Sequence, residues 1–415
     1  MKLFVRIIFV YCSILFIQIS QSTSYAQLVK TEDYSFINNK ENRIEYYGKS
    51  EDLLNPFYAQ IRQMILFGKS QIKILHIGDS QIESNTSTER FRQHLQNIMP
   101  GLISARGMVS LNTENDFYRI NGYKINLSEN WKINNITSKE DYSDQGLWAT
   151  TISSKEKESN IDVLIDYKSN IKSELKTFRI YHSPINNDSA SIIIDDLNFY
   201  YKSTYFPNEG YTRFELKEYS DEIKIRVINN SNRSIDVYGL YFETSDDGFI
   251  YNSSAIYNLS SIDILNAEKY FSQYSTLDFD LIILSLGKDE AYNTYYNSES
   301  FKKNISEIIL RLRAKNNKLP IILTTPIDSY YQKKTINPRI KQADDDIIDI
   351  AKSQNCAIWD INKIMGGKGS SKKWKEKNLM SSDLLHLTIK GELLQGDLFY
   401  NAFWKSLENY VDNRK

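Results

Sequence analysis

The sequence predicts an α/β fold built on a parallel sheet and interrupted by an antiparallel β-sandwich. Short, near-continuous apolar runs, IKILHIG (72–78), FDLIILSLG (279–287) and LPIILTTP (319–326), alternate with amphipathic helical patterns, as do strands buried on both faces of a parallel sheet. Between residues 115 and 248 the period falls to two: IDVLIDYK (161–168), EIKIRVI (222–228) and IDVYGLY (235–241) alternate apolar and polar residues, the mark of half-buried antiparallel strands. Turn clusters NNDS, PNEG and NNSN separate them. The α/β pattern resumes afterwards, which makes the sandwich an insertion.

Taken in order, residues 1–26 read as a secretory signal. Lys2 and Arg6 precede an apolar run from Ile7 to Ile19, and the small-residue site Ser24-Tyr25-Ala26 follows, so cleavage is expected before Gln27. The run falls short of the roughly 20 residues of a spanning helix. Export to the periplasm or beyond, with no membrane span after cleavage, is the expectation. Residues 27–114 open the α/β domain: the strand at 72–78 leads to a helix expected over Ser84 to Gln96, with Phe91 and Leu95 on one face. Residues 115–248 form the sandwich. Residues 249–415 complete the α/β domain, with a helix carrying Phe301, Ile305, Ile308, Ile309 and Leu312 on one face, another near Ala343 to Lys352, the strand CAIWDI, and a closing helix with Leu394, Leu398 and Ala402 in register.

Composition excludes several functions. The 51 basic and 52 acidic residues nearly cancel, so no global field recruits nucleic acid or an anionic membrane. Cys12 lies in the signal and leaves Cys356 alone in the mature chain, which rules out an internal disulfide or a cysteine metal site there. The acidic run at 343–346 suits the first turn of a helix, and neither a phosphate-binding loop nor a His-Glu-x-x-His motif is present.

Two motifs carry chemistry. In ILHIGDSQIESN, Ile74 to Asn85, an apolar strand stops at Gly78, and Asp79 and Ser80 follow where a helix is about to begin. Such a serine is either a helix cap or a nucleophile beside free backbone amides. Of the four histidines, His76, His94, His182 and His386, His386 stands in SSDLLHLT, three residues after Asp383; across one turn that carboxylate can fix the imidazole tautomer and leave the other ring nitrogen as a general base. His76, inside the apolar strand, reads as a satisfied core residue. Gly107 in SARGMVS reads as a turn glycine.

Together, GDSQ (78–81) and DLLH (383–386) resemble the SGNH (GDSL-type) hydrolase superfamily. Trp359-Asp360, MGGKGSSKKW (365–374), TTPIDSYY (324–331) and LSLGKDEAYN (284–293) look like the subgroup of secreted esterases that deacetylate bacterial cell-wall glycans and related polysaccharides. The resemblance implies a three-layer parallel-sheet SGNH fold with a carbohydrate-binding-like sandwich, and an acetylated glycan, peptidoglycan or another polysaccharide, as substrate. It implies Ser80 as the nucleophile that carries the acetyl group, His386 as base and then acid, and Asp383 as its orienting partner, with no cofactor and no metal. At the oxyanion hole it implies backbone donors from Ser80 and from YNSSAIYN (251–258), where Ala255 and Asn258 stand at the family's glycine places. Asp289 stands where the family has an asparagine donor, and a carboxylate there repels an oxyanion; Lys288 beside it carries the opposite charge. The basic run at 368–377 includes Trp374, a candidate for stacking on a sugar. Two other readings stay open: a glycan-binding protein on an impaired scaffold, motivated by Asp289, and an O-acetyltransferase, in which a sugar hydroxyl intercepts the acyl-enzyme.

Overall fold

The computed structural model describes residues 28–47, 52–68, 70–99, 105–113, 122–138, 145–165, 175–185, 189–195 and 200–413. The expected signal segment, Cys12, and the boundary at 114/115 lie outside the described residues. A six-stranded sheet forms the centre, in the order Glu45–Tyr46, Ala357–Trp359, Ile321–Thr324, Leu281–Ser285, Gln71–Gly78, Gly248–Ala255. The first pair is antiparallel and the remaining four pairs are parallel. In chain order the parallel strands run outward in both directions from Gln71–Gly78, so the strand order reverses beside it. The crevice at the carboxyl ends of strands around such a reversal is where doubly wound sheets bind ligands.

Period-two alternation divides this sheet between two cores. Ile72 and Ile74 face the helices Asn55–Phe67, Thr86–Gln96 and Ile389–Asp412; Leu75 and Ile77 face Ser261–Asn266, Glu268–Tyr274, Ser298–Leu312 and Pro338–Ser353. Three layers result, as expected from the sequence. Local chemistry sets the helix ends: Pro56 opens Asn55–Phe67 and a left-handed Gly68 closes it, Asn297 caps Ser298–Leu312 by accepting from the Ser300 amide at 2.9 Å, and Thr388 caps the final helix.

The insertion is a sandwich of antiparallel sheets. Among the described residues one sheet has seven strands, ordered Tyr201–Phe206, Tyr211–Ser220, Leu175–His182, Ile235–Glu243, Thr150–Ser154, Lys132–Asn135, with Gly107–Val109 also paired to Ile235–Glu243. The other has four: Tyr123–Leu127, Glu158–Ile165, Glu222–Asn229, Ala190–Ile194. Their inner faces share a core that includes Ile161, Val163, Phe178, Phe214, Ile225 and Phe242. The sequence placed Gly107–Val109 in the α/β domain; its pairing with Ile235–Glu243 joins it to the sandwich sheet.

The sandwich is fixed to the α/β body by buried contacts. The Leu147 amide donates to Gln273 Oε1 at 2.9 Å, Ser254 Oγ donates to the Leu147 carbonyl at 2.6 Å, and Tyr181 Oη and Thr276 Oγ1 are 2.6 Å apart. Trp148, buried among Tyr181, Tyr238 and Tyr270, donates from Nε1 to the Leu240 carbonyl at 3.1 Å. Its ring lies flush on Gly239, where an added Cβ would meet it at 2.5 Å. Gly239→Ala is therefore expected to unseat Trp148 and cost about 1–3 kcal/mol, read as a lowered urea midpoint.

Candidate active site

Loops at the carboxyl ends of three adjacent strands meet around Ser80. The stretch 79–85 forms turns, with Asn85 in a left-handed conformation at φ 59°, and the helix begins at Thr86. Ser80 therefore precedes the helix by a full loop and is not its cap, as one reading of the sequence allowed. Gly78 belongs to the strand; what demands glycine is space, since an added Cβ would meet Ile82 Cγ1 at 2.6 Å and the Ser285 carbonyl at 2.9 Å.

Asp79 is fully buried. Its Oδ1 accepts from the Gln81 amide at 3.0 Å, and its Oδ2 accepts from the amides of Lys288 at 2.9 Å and Asp289 at 3.3 Å. It thus caps a helix, Lys288–Tyr292, but one that follows the neighbouring strand. Burial, reinforced by the charge of Asp289, pushes the Asp79 carboxyl above its usual range, while Lys288 and the amides pull it back.

This brace brings Lys288 and Asp289 against Ser80. Lys288, 1% exposed, donates from Nζ to Ser80 Oγ at 2.6 Å. The Ser80 hydroxyl in turn donates to Asp289 Oδ1. Asp289 Oδ2 accepts from two backbone amides, Ser80 at 3.1 Å and Asn258 at 2.9 Å, and Lys288 Nζ lies 3.5 Å from Asp289 Oδ1. Asn258 adopts φ 61°, a left-handed conformation that asparagine enters more readily than most residues, so the change from glycine is absorbed. Ala255 takes no such part. It ends its strand in register with Gly78, and among the described residues no hydrogen bond joins its amide to Ser80 or Asp289.

The Asp383 and His386 pair sits in a tight loop ahead of the final helix. His386 Nδ1 and Asp383 Oδ2 are 2.8 Å apart, and Asp383 Oδ1 accepts from the amides of Leu385 at 2.9 Å and His386 at 3.0 Å. Burial would raise the Asp383 carboxyl, but the hydrogen bonds from the His386 ring and the two amides outweigh it and hold the carboxyl below its ordinary value. The loop is closed by the Ser381 amide on the His386 carbonyl at 2.8 Å, and the Tyr330 amide reaches the Leu384 carbonyl at 2.9 Å. Leu384 sits at φ 57°, so the bend that brings ring and carboxylate together carries backbone strain.

The Tyr257 ring lies 6.3 Å from the His386 ring, centroid to centroid, and burial, followed by the charge of Asp289, raises its hydroxyl above the ordinary value. Tyr257 and Asn258 thus link the two halves of the site. His386 Nε2 makes no hydrogen bond among the described residues. The contact expected from the sequence, His386 to Ser80, is not made: Lys288 and Asp289 occupy the Ser80 hydroxyl. Catalytic hydrogen bonds of free enzymes are often completed only on substrate binding.

Trp374, a candidate sugar platform by sequence, is 1% exposed and donates from Nε1 to the Met365 carbonyl at 2.9 Å. Its ring belongs to the core and has no face for a ligand. His76 is the satisfied core residue expected, with Nδ1 2.5 Å from Tyr251 Oη and Nε2 2.6 Å from Ser285 Oγ; burial lowers its imidazole to about 3 and keeps it neutral. Gly107, at φ 75°, holds Asn252 and not the site: a Cβ there would lie 2.1 Å from Asn252 Oδ1, which accepts the Met108 amide. Sequence reasoning did not single out the brace role of Asp79, the approach of Lys288 to the serine, or Tyr257. Among the described residues no cluster of His, Cys, Asp and Glu has the arrangement of a metal site.

A doubly wound sheet with a serine loop at its strand reversal, a histidine-aspartate loop before the last helix and an inserted antiparallel sandwich is the SGNH hydrolase fold. The solved structure of a peptidoglycan O-acetylesterase is similar over 88% of this chain and 99% of its own, with a TM-score of 0.70 and 16% sequence identity. A lipase/acylhydrolase from Enterococcus faecalis and an acetyl xylan esterase each overlap 37% of this chain, covering 75% and 81% of their own, at 17% identity and a TM-score of 0.31. No family model and no curated protein matches the sequence.

Glu290, next to Asp289, gives the site a measurable pH signature. Burial raises its carboxyl to about 7, against a partial offset from the Ser261 hydroxyl and amide. A raised folded pKa means that the proton is held more tightly in the folded state, so the contribution to stability is complete below the ordinary value of 4.5 and is lost as pH rises through about 7. Glu290→Gln is expected to flatten that part of the stability curve, measured by urea unfolding on both sides of the transition.

Proposed function

We propose that the protein is an exported serine esterase that removes O-acetyl groups from a carbohydrate through an acetyl-Ser80 intermediate. The observation that carries this reading is the pair of amides, from Ser80 and Asn258, that converge on one oxygen beside the Ser80 hydroxyl. Two backbone donors aimed at one point next to a nucleophile are what a tetrahedral oxyanion requires. The fold shared with a peptidoglycan O-acetylesterase supports the same chemistry.

In this reading the acetyl carbonyl oxygen displaces Asp289 Oδ2 from the two amides. Ser80 Oγ forms a bond to the carbonyl carbon as its proton passes to His386 Nε2, with Asp383 holding the opposite nitrogen. The tetrahedral species collapses, the C–O bond to the sugar breaks, and His386 returns the proton to the departing hydroxyl. Water repeats the sequence on the acetyl-serine and releases acetate. Lys288, already on Ser80 Oγ, adds a cationic donor that favours negative charge at this centre.

Asp289 favours a second reading, a glycan-binding protein on an impaired scaffold, because its carboxylate holds the amides that an oxyanion would need. Acetate release from acetylated peptidoglycan and acetylated xylan separates the two. The esterase reading expects release by the wild type and none by Ser80→Ala; no release by either protein, with glycan binding retained, supports the second reading. Because loss of one hole donor costs roughly 10²- to 10³-fold, Asp289→Asn, which restores a donor and removes a competing carboxylate, is expected to raise kcat by at least about tenfold.

A further inference from the structure

A cleft of about 820 Å³ borders the serine site, sharing with it Asn258 and Asp289. It runs between the helices Ser261–Asn266 and Ser298–Leu312, and Thr137 of the sandwich lines it from the other side. Its lining has a marked chemistry. Side-chain amides recur along it at Asn258, Asn266, Asn293, Asn297 and Asn304; the oxygens of Asn293 and Asn297 already accept backbone amides and Asn304 donates to Ser261 Oγ, which leaves the Asn293 and Asn297 donors and the Asn304 acceptor for sugar hydroxyls. Tyrosines supply the apolar surface: Tyr292 and Tyr296 line the cleft, and Tyr295 is 90% exposed.

Charge in the cleft has one sign. Asp263, Asp289 and Glu290 line it, and among the described residues no lysine or arginine does. Glu290 Oε1 is held by Ser261, but among the described residues Oε2 is buried without a partner, a hydrogen-bonding group that a ligand hydroxyl would satisfy. A uronate or sulfated sugar would meet carboxyl groups, with Lys288 beside them already engaged by Asp289 and Ser80, whereas an uncharged sugar meets amides, hydroxyls and rings.

We propose that this cleft binds an uncharged segment of the glycan, with its acetyl ester directed inward to Ser80, and that it discriminates against polyuronates. The proposal rests on the esterase reading for the direction of the ester, but binding itself is testable without turnover. Tyr295 is the stacking residue; an exposed ring that becomes covered by a sugar face contributes about tenfold in affinity.

The test is calorimetric titration of the full chain carrying Ser80→Ala with two probes, acetylated xylo-oligosaccharide and acetylated oligogalacturonate. The expected result is binding of the first at least about tenfold tighter than the second, weakened about tenfold by Tyr295→Ala and retained in Tyr295→Phe. Equal binding of both probes, binding of neither, or indifference to Tyr295→Ala overturns the proposal. Turnover of 4-nitrophenyl acetate by the wild type, compared with Ser80→Ala, keeps the two ideas apart: without serine-dependent turnover but with the expected binding, the esterase reading fails and the cleft stands.

Discussion

The site depends on one buried carboxylate. Asp79 accepts amides from its own turn and from the turn after the adjacent strand, and this stitch sets where Lys288 and Asp289 stand relative to Ser80. Taking a carboxylate out of water is costly unless hydrogen bonds replace its hydration. Three backbone donors and the nearby Lys288 offset part of that cost here. A neutral cap would satisfy fewer donors and would not oppose the Lys288 charge, so the brace and the electrostatics of the site are one arrangement.

Around that brace the chain sets up a competition. In the proposed esterase reaction the oxyanion would seek the same two amides that the Asp289 carboxylate holds, and the Lys288 ammonium is shared between Asp289 and the serine. Only interactions stronger in the transition state than in the ground state accelerate the chemical step. A resident carboxylate in the hole strengthens the ground state of the free protein, and Lys288 offsets part of that by favouring charge on Ser80. The ion pair is thus a coupled departure: either residue alone, a buried lysine or a carboxylate in the hole, would lack its compensating partner.

Much of this was legible in the sequence. Helix Ser298–Leu312 buries the five residues that its period marks, Phe301, Ile305, Ile308, Ile309 and Leu312, and the parallel strands announce themselves by apolar runs because both of their faces are covered. Ser80, Asp383 and His386 were named as candidates because GDSQ and DLLH together resemble the SGNH superfamily; singly, a turn serine and an Asp-x-x-His spacing carry little. What escaped depends on long-range approach. The strand Gly107–Val109 is too short to show a period and is defined by pairing with Ile235–Glu243, far along the chain. The lysines around Trp374 suggested a sugar-facing run, yet in the helix Ser370–Glu376 the side chains are spread around the axis, and Lys372, Lys373 and Lys375 face solvent while Trp374 turns inward. The role of Asp79 is not legible locally, because two of its partners, the Lys288 and Asp289 amides, lie 209 and 210 residues away, brought close by parallel pairing of the strands Gln71–Gly78 and Leu281–Ser285.

The account stands on Ser80 being an activated nucleophile in reach of His386, although in the free protein its hydroxyl faces Lys288 and Asp289. Covalent capture by a fluorophosphonate, located by mass spectrometry of proteolytic peptides, tests that most directly. The account predicts a single adduct on Ser80 whose rate of formation collapses in His386→Ala. An intact protein that takes no label, or label at Ser80 that forms equally fast without the histidine, would contradict it.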